Sequence, residues 1–446
     1  MTQHSPAVCD SRTIMLAGLK CAPGAQGPLP PAITAAYCSF VGDSSSPLSD
    51  VFSLSFIRTY LETSIPIRQV VTTIGKLKIE FGQNSNTATR KAAAAALMIV
   101  DRPKLKEYLD ILVAPENSDQ QLILLYGLLF THLEFMVGDS WIFFQSVFRK
   151  LSDKVQEMLK QNRRKPSLYF DRGLLMNFSL VAGYYALILF SDTFVVDVEL
   201  YDPSPFENID ASSSSVRVNS AVLHYFCKFI AEFARLNHNK RECRSNKNCR
   251  ATKWVRQARN VTRDRHLNEN VPVEELKEAL SNAGLLDCGM GIIESSGAII
   301  DIMENLRREE LDNGQDEDGT DFGILREAFY LYSLMGLTRT FWDPVWKLVD
   351  EDLPFVTDMP NLETHGVVVL ERFERRISEV CVESWYYLVI LVGVALEVQK
   401  PEYQQRVEAL VNEIRNKGIT IAEALLEDMK MIWRIRLASQ HVGPTC

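Results

Sequence analysis

The chain has no paired cysteine spacing. Its nine cysteines include no CxxC, and they are scattered over 446 residues. An odd, unpaired set argues against a disulfide framework, and the CxxxxxC spacing of Cys243 and Cys249, with His238 nearby, is not that of a zinc knuckle. No metal site is expected, and the thiol usage suits a reducing compartment, nucleus or cytoplasm. A long, unbroken apolar run is also missing. The richest stretch, 120–137, is interrupted by His132 and Glu134, and the next, 385–398, is only fourteen residues long. A bilayer span needs about 20 apolar residues, so both read as buried core helices and no membrane span is expected. The first residues lack a basic start followed by an apolar run, so a secretory leader is not expected. There is no GxSxG, no phosphate-cradling glycine loop and no HExxH. Strand-like alternation is confined to VVDVELY at 195–201, which has no partner strand.

What is present is helical patterning over a large apolar fraction. Hydrophobic residues make up 46% of the chain, enough for a sizeable core and too many for a disordered protein. The fold class expected is all-α, a large multi-helix bundle or orthogonal helical domain. Residues 1–48 are rich in Pro, Gly and Ser and read as a flexible arm. Residues 49–446 read as one helical domain. Ser49 or Asp50 is expected to cap a first helix, Pro66 to open a second, and Thr87 to cap an Ala-rich third. Pro103 is expected to start a separate helix ending at Pro115. The long helix up to Val137 stops at Gly138 and Asp139. After it, Phe144, Val147, Phe148, Leu151 and Val155 fall at spacings of three and four, on one helix face.

Two insertions stand out. The loop at 312–321, DNGQDEDGTD, is acidic. The stretch at 235–265 is strongly basic and includes Lys240, Arg241, Arg244, Lys247, Arg250, Lys253, Arg256 and Arg259. The net charge of −9 gives no overall attraction to nucleic acid, so this local positive density needs its own reason. A solvated charge run, a nuclear-import signal, a phosphate contact and an anion pocket are the candidates. From Arg244 to Arg256 the cations recur every three residues, so a helix would carry them as a slowly rotating stripe.

Two segments resemble the fungal-specific transcription factor domain, the helical region downstream of the zinc cluster in many fungal regulators. In LLYGLLFTHLEFMVGDSWIFFQSVFRKL (124–151), Glu134, Gly138, Asp139 and Trp141 fall where that family has an acidic helix end, a break and a Trp. In 384–436, Arg406 and Trp433 match its Arg-bearing helix and its closing Trp-bearing helix. Each match also has a packing explanation, with Trp141 and Trp433 as core anchors and Gly393 allowing a close helix approach. The family's zinc cluster needs six cysteines in a compact run, and the first fifty residues hold Cys9, Cys21 and Cys38 alone.

The resemblance implies a non-catalytic regulator without its own DNA-reading module. It would act through protein partners or as a homodimer and touch nucleic acid indirectly. It would answer to a small-molecule effector and control genes such as a fungal secondary-metabolite set. The alternative reading is a helical enzyme of secondary metabolism, a non-standard sesquiterpene or isoprenoid cyclase. That enzyme would use Glu134 and Asp139 with Mg on a diphosphate. The usual run of adjacent aspartates is absent, and His132 and Glu134, two residues apart, face different sides of a helix. No cofactor is expected outside that alternative.

Overall fold

The computed structural model describes residues 27–42, 50–189 except 85, 115–116, 118, 139–140 and 165–171, then 251–266, 272–301 except 295 and 298–300, and 321–441 except 352 and 354–359. Among the described residues every extended element is helical and there is no strand. The chain divides into two compact units, where a single helical domain was expected. Unit 1 holds Met1–Phe178, Glu379–Ser384 and Ile414–Ala422, and unit 2 holds Ser179–Ser378, Trp385–Glu413 and Glu423–Cys446.

In unit 1 the helices are α1 (Pro31–Val41), α2 (Leu54–Thr63), α3 (Ile65–Gln83), α4 (Thr87–Leu112), α5 (Gln120–Val137) and α6 (Trp141–Arg164). Helix α7 (Arg172–Leu189) begins in this unit. Local chemistry starts most of them. The side chains of Ser53, Ser64, Asn86 and Asp119 accept backbone N–H bonds at the first turns of α2, α3, α4 and α5.

Helix α5 is the centre of the unit. All of it except Gln121 is buried, and it packs on α3, α4 and α6. It is the one helix among the described residues long and apolar enough to cross a membrane, and 94% of that window is buried in the fold. Helix α6 contributes the amphipathic face read from its spacing: Val147, Phe148, Leu151 and Val155 are buried. Phe148 stacks on Phe178 of α7 at 5.3 Å.

Four expectations fail here: Ser53, not Ser49 or Asp50, caps α2, and Asn86, not Thr87, caps α4, and two larger ones follow. The 1–48 arm contains α1, which lies on α3 and buries Ile33, Tyr37, Phe40 and Val41. The Tyr37 hydroxyl donates to the Phe52 carbonyl at 2.8 Å, and burial raises its pKa. Proline at the first helical turn costs no hydrogen bond, so the proline-rich lead-in begins a helix at Pro31. Pro103 does not start a new helix, because α4 runs through it for 26 residues. Proline denies the Ile99 carbonyl its N–H partner. Ile99 and Pro103 are both exposed, so water takes that carbonyl and the helix survives.

In unit 2 the helices are α8 (Ala251–His266), α9 (Val273–Asn282), α10 (Asp321–Thr340), α11 (Pro360–Arg376) and α12 (Ser384–Glu397), with a helical stretch over 286–294. Most of α13 (Pro401–Asn416) and α14 (Ile421–His441) also belong to it. Trp254 of α8 is fully buried, donates to the Leu285 carbonyl at 2.7 Å and stacks on Trp346 at 4.0 Å. Around α12 the packing is close. Tyr332 of α10 lies on Gly393, where an added Cβ would sit 2.0 Å from the ring. The Trp433 indole N–H of α14 donates to the Ala395 carbonyl at 2.8 Å. Gly393 and Trp433 therefore do the packing read for them in the sequence. The side chain of Trp141 and the stretches 195–201 and 312–320 lie outside the described residues.

Candidate functional site

Glu134 sits in the last turn of α5 with its carboxylate 2% exposed. Both its oxygens accept from Arg102 of α4, at 3.1 Å from Nε and 2.9 Å from the terminal nitrogen. This fork-on-carboxylate pairing ties α4 to the buried α5. Asp139, its proposed companion, lies outside the described residues. Helix α5 ends at Gly138, whose φ of 62° is left-handed, and a Cβ there would meet the Thr420 hydroxyl at 2.5 Å. The Thr420 hydroxyl itself donates to the Met136 carbonyl at 2.7 Å. The acidic end of α5 is thus filled by protein within unit 1.

His132, two residues earlier, faces elsewhere, as the helical spacing requires. It is 3% exposed and ringed by Phe40, Phe52 and Phe135, with centroid distances of 6.3, 4.7 and 6.3 Å. Its Nδ1 lies 2.8 Å from the Leu128 carbonyl, so that nitrogen carries the proton and donates. Burial pulls its pKa down to about 4, which keeps the ring neutral.

Of the basic stretch, Lys240, Arg241, Arg244, Lys247 and Arg250 lie outside the described residues. Lys253, Arg256 and Arg259 belong to α8, where Trp254, Ala258 and Thr262 form the buried face. Arg256 is exposed. Arg259 is 65% exposed and pairs with Asp343 at 2.5 Å, an exposed contact worth about 0–1 kcal/mol.

The thiols are mixed. Cys38 and Cys381 are free, whereas Cys288 is disulfide-bonded. Among the described residues no group of three His, Cys, Asp or Glu side chains could hold a metal.

A half-open cavity in unit 2 gathers chemistry of another kind. It has a volume of about 320 Å³, near the lower end of the ~300–1,000 Å³ typical of small-molecule sites. The turn after α12 supplies Val398 and Gln399, and the first turn of α13 supplies Gln404. Helix α14 supplies Trp433, Arg436 and Leu437, and α10 supplies Arg339. The site is braced from behind. Arg339 grips Glu397 with contacts of 2.7–3.0 Å, and the Trp433 indole is fixed through Ala395. Arg436 donates to the Leu396 carbonyl. Glu363 accepts the backbone N–H groups of Gln399 and Lys400 at 3.0 and 3.3 Å, which sets the turn between α12 and α13. The Gln404 amide donates to the Gln399 carbonyl at 3.2 Å.

The lining holds two guanidinium groups, two amides, an indole and two aliphatic side chains. These groups bind and orient, and none of them is a nucleophile or a general base near neutral pH. Sequence reasoning found one member of the set, Trp433, and only as a packing residue. The others carry no motif, because they come from three helices and a turn spread between Arg339 and Leu437. Comparison with known protein families, with characterised proteins and with solved structures gave no match to this chain.

Proposed function

We propose that the protein is a non-catalytic regulator whose helical body works through protein partners and responds to a small molecule held in the unit 2 cavity. The observation that supports this reading is the cavity's lining, whose groups are suited to binding and orienting a small molecule and include no nucleophile or general base. The engagement of both Glu134 oxygens by Arg102 supports it as well. The sequence resemblance supplies the setting: nuclear control of a gene set, such as one for secondary metabolism, with DNA contacted through another chain.

The test is a tethering assay. The full chain is fused to a heterologous DNA-binding module, and reporter output is compared with that of the module alone. A change in output supports the regulatory reading, and no change overturns it. Incubation of the purified protein with farnesyl diphosphate and magnesium checks the enzyme reading. Hydrocarbon formed by the native chain and lost in Glu134→Gln would overturn the regulatory reading. Import is tested by replacing Lys240, Arg241, Arg244 and Lys247 with Ala. Loss of nuclear accumulation is expected, and an unchanged nuclear signal removes the import assignment.

A further inference from the structure

We infer that the unit 2 cavity takes a small organic monoanion, a carboxylate carrying a compact apolar body. The inference rests on the effector reading above and names the ligand class of that site.

Charge decides the anion. Arg339 and Arg436 both line the cavity, and Glu397 neutralises only the first of them. Arg436 has one described bond, to the Leu396 carbonyl, and no carboxylate partner among the described residues. A guanidinium has five N–H donors in a planar fork, so most of the Arg436 donors remain for a ligand. Two cations against one carboxylate leave the site complementary to a single negative charge. A dianion or a diphosphate would be under-neutralised there.

Shape and polarity decide the rest. Leu437, which is 51% exposed, and the exposed edge of the Trp433 indole supply the apolar surface on which a compact body can lie. The Gln399 side-chain amide is exposed and has no described bond, so it can donate to the second carboxylate oxygen or to a polar substituent. A carboxylate can engage the planar fork of Arg436 through both of its oxygens. Inorganic anions lack the apolar body that the indole would cover.

The experiment uses the full-length protein and isothermal titration with four probes: 3-phenylpropionate, its neutral amide, phenyl phosphate and inorganic phosphate. Saturable binding of 3-phenylpropionate is expected, with the amide weaker by about tenfold or more. Inorganic phosphate should bind weakly at most. Arg436→Met should weaken the carboxylate by about tenfold or more, and Arg436→Lys by less. Gln399→Leu, at an exposed position, should cost a few-fold and guards against misfolding of the arginine variants.

The inference is overturned by no saturation up to about 10 mM carboxylate. It is equally overturned by amide binding as tight as the acid, or by tighter binding of phenyl phosphate. Unchanged affinity in both the folded Arg436→Met and the Gln399→Leu proteins would overturn it too. The effector reading fails separately. If the carboxylate binds but the tethered reporter ignores both the ligand and Arg436→Met, the ligand class stands and the regulatory role of the site falls.

Discussion

His132 shows how a polar residue can serve as a core residue. It lies inside a cage of three phenylalanines, and one of them, Phe40, comes from the N-terminal segment that composition marked as a loose arm. The ring must stay neutral to remain there. Burial lowers its pKa from the usual 6.5 to about 4. The unfolded chain therefore binds a proton that the folded chain refuses. The stability that depends on a neutral ring is fully present above about pH 6.5 and is lost progressively as pH falls towards 4, by up to about 3 kcal/mol. Thermal melts between pH 7 and pH 4 should show this loss, and His132→Phe should flatten the curve relative to the native chain. Equal pH slopes in the two proteins would show that the His132 proton is not linked to unfolding.

At the scale of the helix, patterning was a sound guide wherever one face carried the signal. The α6 face from Val147 to Val155 is buried as its spacing required, and the stop at Gly138 is real because the residue adopts a left-handed φ. Patterning failed where a local breaker was outvoted. Pro103 reads as a boundary in any sequence, yet α4 continues through it with Leu105, Tyr108 and Leu109 buried beyond. Those side chains, and the Tyr126 hydroxyl donating to the Leu105 carbonyl at 2.6 Å, hold the helix past the missing bond. Replacing Pro103 with Ala should restore that bond and raise stability by about 1–2 kcal/mol in urea unfolding. A loss of stability would mean that the proline sets a geometry the packing needs. The candidate cavity was not legible at this scale. Arg339, Trp433 and Arg436 are ordinary members of α10 and α14, Gln399 is an ordinary turn residue, and only the tertiary approach of these elements makes them a site.

For the molecule as a whole, the path of the chain matters more than any element. Unit 1 is not a simple N-terminal domain: it includes 379–384 and 414–422, with Thr420 bonded to Met136, and Lys417 bonded to Val380 and accepting from Lys78. A fragment ending at Phe178 lacks these pieces. It should keep much of its helical circular dichroism but lose a cooperative thermal transition. A sharp transition matching that of the full chain would show that the late segments are dispensable. The same threading sets the order of events during synthesis. A nascent chain emerging from the ribosome cannot close its first unit until more than two hundred further residues have been translated. Through that interval the Met136–Gly138 end of α5 waits for the segment that will cap it, so the last turn of the central helix is the part of the unit that locks in latest.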